Sequence, residues 1–202
     1  MTLSPQQRTF LVNEQIVGPV VINFGLNALD AWVAFRHFTP IPTWNIPGVA
    51  FDLTAVLYGL PFLLTVITTP IVKRAVRKGK VAPLPQGPSA YPILRLLPRH
   101  NFWRSLFVAI ASVLLLSPPL LFVLWLLGIE QMTVTAYWVL KGCVCGALAG
   151  VLAPIATLFA MAQVGEEMRA AGVDEPQTER RDPAPLGELD GRVATSTVIA
   201  GR

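Results

Sequence analysis

Residues 104–161 read RSLFVAIASVLLLSPPLLFVLWLLGIEQMTVTAYWVLKGCVCGALAGVLAPIATLFAM, and only Arg104, Glu130 and Lys141 in this stretch are charged. A bilayer core about 30 Å thick takes roughly 20 apolar residues in helical form. Lipid offers the backbone no hydrogen-bond partners, so a crossing segment must satisfy its own. The stretch holds two such segments, 104–128 and 133–161, joined by the short IEQMT at 129–133. A connection that short predicts an antiparallel hairpin.

Outward from this hairpin the pattern recurs at residues 10–35 and 49–72. The connections carry turn punctuation, TPIPTWNIPG at 39–48 and APLPQGPSAYP at 82–92. The whole chain is 53% hydrophobic and 14% charged, against roughly a quarter charged in an average soluble domain. The charges lie mostly between and after the apolar runs. The expected fold is all-α: a polytopic, four-transmembrane-helix bundle over residues 1–163.

Direction follows from the cations, which are retained on the cytoplasmic side. The connection 73–103, extended to Arg104, contains Lys73, Arg74, Arg77, Lys78, Lys80, Arg95 and Arg99 and no acidic residue. The other two connections have almost none beyond Arg36. The central loop is therefore expected in the cytoplasm together with both termini. Lys73, Arg74, Arg77, Lys78 and Lys80 are also candidates for contact with anionic lipid, at roughly 1 kcal/mol per cation, although a topology signal alone accounts for them. YPILRLLPRHNFW at 91–103 suits a short segment lying in the interface. The N-terminus lacks the features of a cleaved signal peptide, so the first span is expected to persist as an anchor. Residues 164–202, rich in Glu, Asp, Pro and Gly, are expected to form a disordered cytoplasmic tail. The net charge of +4 reflects topology and gives no reason to expect nucleic acid.

Polar residues inside apolar spans usually face the bundle interior and mark function. In the first span Asn23, Asn27 and Asp30 fall on one helical face at steps of four and three. Asn13 and Gln15 flank that face beyond Pro19. In the second span Asp52 is followed by Thr54, Tyr58, Thr65 and Thr69, which read as a polar face suited to meet the first. The fourth span carries Lys141, flanked one turn away by Tyr137 and Cys145. At about 1.5 Å per residue, Lys141 lies ~12 Å and Asp30 ~8 Å below the outer ends of their helices. Side chains at those depths can meet, so Asp30 and Lys141 are expected to pair, with Asp52 and Asn27 close by. Two roles fit: a structural ion pair, or a substrate or proton site that includes Tyr58. Near the inner side Glu14 is a candidate partner for Lys73 or Arg104.

Gly142, Gly146 and Gly150 place a small residue every four positions, which permits close helix packing within the chain or against a second copy. Pro19, Pro61, Pro70, Pro118, Pro119 and Pro154 put a proline in every span, and Ser117 offers a hydroxyl beside one pair. Cys143 and Cys145 are too close for an easy staple and read as packing residues. His37 and His100 fall at opposite faces. No Gly-rich phosphate loop, HExxH, GxSxG or CxxC pattern is present. No catalytic residue, metal or cofactor is therefore expected, and the chain is not expected to be an enzyme.

NFGLNALDAWVAFR at 23–36 together with TTPIVKRAVRKGKV at 68–81 resembles a group of small four-span bacterial membrane proteins sometimes called permeases, over residues 8–163. The resemblance implies a bacterial inner membrane and brings no substrate or catalytic residue with it. Two functions follow as expectations: a small transporter or permease subunit with its polar site between spans one, two and four, or a scaffold or accessory protein acting through its basic loop or tail. The bilayer is the expected partner, with a second copy or another membrane protein left open.

Overall fold

The computed structural model describes residues 5–172. Four helices among them, Gln7–Phe35, Val49–Arg77, Asn101–Leu126 and Val134–Ala170, are long and apolar enough to cross a membrane. The first is built of α1 (Pro5–Thr9), a π-helical stretch (Phe10–Val17) and α2 (Gly18–Phe35). The others are α3 (Val49–Arg77), α5 (Asn101–Leu126) and α6 (Val134–Ala170), with the short α4 (Pro92–Arg95) before α5.

The π-helical stretch is how the first span absorbs Pro19. Proline has no N–H and its ring crowds the carbonyl four residues back, so the turns before it widen to bonds five residues apart. The Gly18 N–H accordingly donates to the carbonyl of Asn13. The added residue per turn brings Gln15 inward, where its Oε1 accepts from Thr157 Oγ1 at 2.9 Å. Asn13 and Glu14 point outward and are exposed.

Two helices run past their expected ends. α3 continues through Lys73 and Arg74 to Arg77, since cations suit a helix C-terminus, and it stops where Gly79 turns to φ 71°. α6 continues through Glu166, Glu167, Met168 and Arg169 to Ala170, all of them strong helix formers in series. Residues 164–170, expected in a disordered tail, are thus helical; residues 173–202 lie outside the described residues. At about 1.5 Å per residue α6 is ~55 Å long, nearly twice a bilayer core.

The connections 36–48 and 127–133 meet in a two-residue antiparallel ladder, β1 (Ile41–Pro42) with β2 (Gln131–Met132), in which Ile41 faces Met132 and Pro42 faces Gln131. The Thr43 N–H extends it to the carbonyl of Glu130 at 2.9 Å. This fixes one end of the bundle, the ladder end. At the other, basic end the connection between α3 and α5 folds over α6. Val81, Leu84 and Leu94 are buried there against Val72, Val76, Phe159 and Met161. Tyr91 and Leu97 pack on the same cluster, while Leu96, Phe102 and Trp103 stay exposed, so the segment expected in the interface is covered by the protein only in part.

The helices stand in the order α2, α6, α3, α5: α6 packs between α2 and α3, and α3 separates α6 from α5. The last two spans are therefore not neighbours in the row of helices: α5 packs chiefly on α3, and α6 on α2 and α3. A ladder-end core of Ala31, Phe35, Ile41, Leu53, Leu124 and Tyr137 and a central cluster of Leu57, Leu60, Cys145 and Leu148 complete the interior. The outward side chains, Ile22, Leu26, Leu115 and Phe122 among them, are large and apolar.

Candidate functional site

Lys141 reaches Asp30 Oδ2 at 2.6 Å and Asp52 Oδ2 at 2.6 Å. Three helices converge to make this contact. Side chains lean toward the N-terminus of their helix, so Lys141 on α6 points to the ladder end. Asp52 sits in the first turn of α3, where the helix dipole favours a carboxylate. Asp30 comes from α2, which is drawn close by the small residues of α6. A Cβ on Gly142 would lie 3.0 Å from the Phe24 ring, and one on Gly146 would lie 3.3 Å from the Val20 carbonyl oxygen. Gly150 faces the Val20 side chain. All three glycines thus serve the α2–α6 contact inside the chain.

The cluster is unevenly buried. The Lys141 side chain is 1% exposed, Asp52 26% and Asp30 64%. The Tyr137 hydroxyl donates to the Asp52 oxygen that also receives Lys141, and its ring meets Phe35 edge-on at 5.3 Å. Among the described residues neither Oδ1 of Asp30 nor that of Asp52 takes a hydrogen bond. Two carboxylates face one ammonium, leaving one negative charge in excess beside a buried cation.

These groups head an open groove of about 610 Å³ between α2 and α3, to which α6 contributes Lys141. Asn23 and Asn27 line it but spend their amides on their own helix, donating to the carbonyls of Pro19 at 2.8 Å and Asn23 at 2.9 Å. Asn27 therefore does not bond the ion cluster. Below the charges the walls are apolar: Leu26, Val56, Leu60, Leu63 and Ile67, with Gly59 opening the middle.

Tyr58 does not belong to the site. It is exposed and stacks on Phe62 at 6.4 Å. At about 100° per residue, Asp52 and Thr54 stand roughly 200° apart, so the polar residues of α3 divide between two faces. Thr54 bonds Ser117 at 3.0 Å. Thr65 and Thr69 are buried, and Thr69 accepts from Arg104 Nη2 at 2.8 Å. That face turns toward α5, while Asp52, Gly59 and Leu63 turn toward α2.

Arg104 is a second buried cation. It bonds Asn101 Oδ1 at 2.7 Å and lies over the Phe159 ring at 4.1 Å, while its Nε and Nη1 have no partner among the described residues. Glu14 is paired with neither Arg104 nor Lys73. Lys73 and Arg77 instead bind Glu167 at 3.0 and 2.9 Å, and Arg99 binds Glu166 at 3.0 Å. Two of the cations proposed for lipid are thereby used within the chain. Arg74 and Lys78 remain exposed. Both acidic partners lie in the segment 164–202, whose composition predicts disorder and so carries no signal for these pairs. The role of Tyr137, by contrast, was signalled by its four-residue step to Lys141.

Cys143 is exposed and Cys145 buried, both as free thiols. Among the described residues no group of three or more His, Cys, Asp or Glu side chains could hold a metal ion. No family model, curated protein or solved structure matches the chain.

Proposed function

We propose that this chain is a small transporter or permease subunit of a bacterial inner membrane, with both termini in the cytoplasm and the groove between its first, second and fourth spans as the substrate site. The observation that carries the reading is the groove headed by Asp30, Asp52 and Lys141. Asp52 alone balances the charge of Lys141, and Asp30 adds a second carboxylate that is 64% exposed at the head of the groove. Ionisable groups inside spans lie on substrate and proton paths more often than elsewhere. The compartment and direction rest on the basic connection at 73–104 and on the resemblance to four-span bacterial proteins. Under this orientation the ion cluster lies in the outer half of the bilayer.

The alternative is a membrane scaffold or accessory protein. It draws support from the clasp of Glu166 and Glu167 on the basic connection, which would present a fixed surface to a partner.

Labelling separates the two. In a chain with Cys143→Ala and Cys145→Ala, single cysteines at positions 23, 27 and 30 are treated with a membrane-impermeant thiol reagent from each side. Transport requires labelling at 30 and 27 from the ladder side. Silence at all three positions from both sides removes this function.

A further inference from the structure

We infer that the groove takes a cationic amphiphile, with an amine or quaternary ammonium head at Asp30 and Asp52 and a long alkyl tail along α3. The inference rests on the proposed substrate site and names its ligand class.

Three observations carry it. The groove, at about 610 Å³, falls in the range of organic ligands, ~300–1,000 Å³, and far exceeds the space of a small hydrated ion. Its polarity is graded along its length. From Asp52 to Thr68 the lining of α3 extends for about 24 Å, and between those ends it offers Val56, Gly59, Leu60 and Leu63. This matches a molecule with one charged end and an extended apolar body. The charge at the head is negative on balance, since Lys141 is buried between two carboxylates and Asp30 keeps an exposed oxygen free. A phosphate or sulfate head would be repelled there. An ammonium would complete the cluster, giving two cations for two anions in a partly dry site where such pairing is strong. The bulk of the groove is kept open by Gly59, since a Cβ there would meet nothing within 4 Å.

Radiolabelled tetradecyltrimethylammonium is bound to the full chain in phosphatidylcholine nanodiscs, with empty nanodiscs as background. Saturable binding above background is expected, displaced by tetradecylamine but not by tetradecyl sulfate or tetramethylammonium. Asp30→Asn should weaken binding by about tenfold, the loss of one ion pair. Gly59→Leu should do the same by filling the groove, and the open space at that position lets this variant fold even if Asp30→Asn does not. Equal displacement by tetradecyl sulfate, or unchanged binding in Gly59→Leu, means partition into lipid and overturns the inference. Competition by tetramethylammonium as strong as by the long-chain amine also overturns it, yet leaves the transport site standing. Binding lost on forming a Leu63→Cys disulfide between two copies, with that disulfide forming spontaneously in the membrane, assigns the groove to a second copy. Absence of binding with position 30 still labelled ends the amphiphile alone; absence of both ends the transport reading as well.

Discussion

Lys141 sets the energetic stakes at the scale of single residues. Its ammonium is almost wholly out of water, and a lone buried charge costs far more than a paired one. Asp30→Asn with Asp52→Asn should therefore destabilise the protein by about 3–5 kcal/mol, because it strands the cation. Adding Lys141→Met should restore most of that loss. Thermal unfolding of the purified variants in one detergent measures both steps, and equal stability of the double and triple variants would contradict the strandedness of Lys141. The Asp30–Lys141 meeting was legible in the sequence, because depth along a helix is a matter of counting residues. The aloofness of Asn27 was not, since an amide chooses between its own backbone and a neighbour on distances no spacing encodes. Arg104 is the opposite case to Lys141. Among the described residues no carboxylate pairs with it, and Phe159, Thr69 and Asn101 share the work of holding it.

Among the elements, the contact of α2 with α6 depends on glycines whose neighbours differ in how far they can yield. At Gly146 the nearest atom is a backbone oxygen, whereas at Gly150 it is the end of a valine side chain. Gly146→Val should destabilise by about 1–3 kcal/mol or more through overpacking, and Gly150→Ala by less. Gly25→Ala meets nothing within 4 Å and should be neutral or stabilising by up to about 1 kcal/mol from helix propensity. Chemical denaturation of the three variants checks the order, and a Gly146→Val protein as stable as Gly25→Ala would refute the close approach. The four helices themselves were plain from hydropathy, which decides membrane crossing almost alone. Their faces and ends were less so. Asp52 and Thr54 are neighbours in sequence but nearly opposite in space. The π-helical stretch before Pro19 leaves no mark in composition, and strands of two residues, one containing Pro42, are too short to show a period.

Across the molecule, Glu167 near the end of α6 binds the last turns of α3 at Lys73 and Arg77, and Glu166 holds the connection that closes the basic end at Arg99. Exposed ion pairs contribute about 0–1 kcal/mol each, so Glu166→Gln with Glu167→Gln should leave global unfolding nearly unchanged. It should, however, speed tryptic cleavage at Lys78 or Arg95, both exposed in the connection. A cleavage rate equal to that of the parent chain would mean that the buried Leu84 and Leu94 anchor the segment unaided. The order of the helices has a different bearing, on how such a chain comes to be made. Every extensive helix contact, α2 with α6, α3 with α6 and α3 with α5, joins a helix from the first half of the chain to one from the second. The first two membrane-length helices have little to pack on one another, and the charged face of α2 with Asp30 waits for Lys141 on α6. Neither half is a folding unit: α3 finds its first partner only in α5, and α2 only in α6, so the nascent protein must hold its first two spans in the membrane without a packing partner until later helices join them.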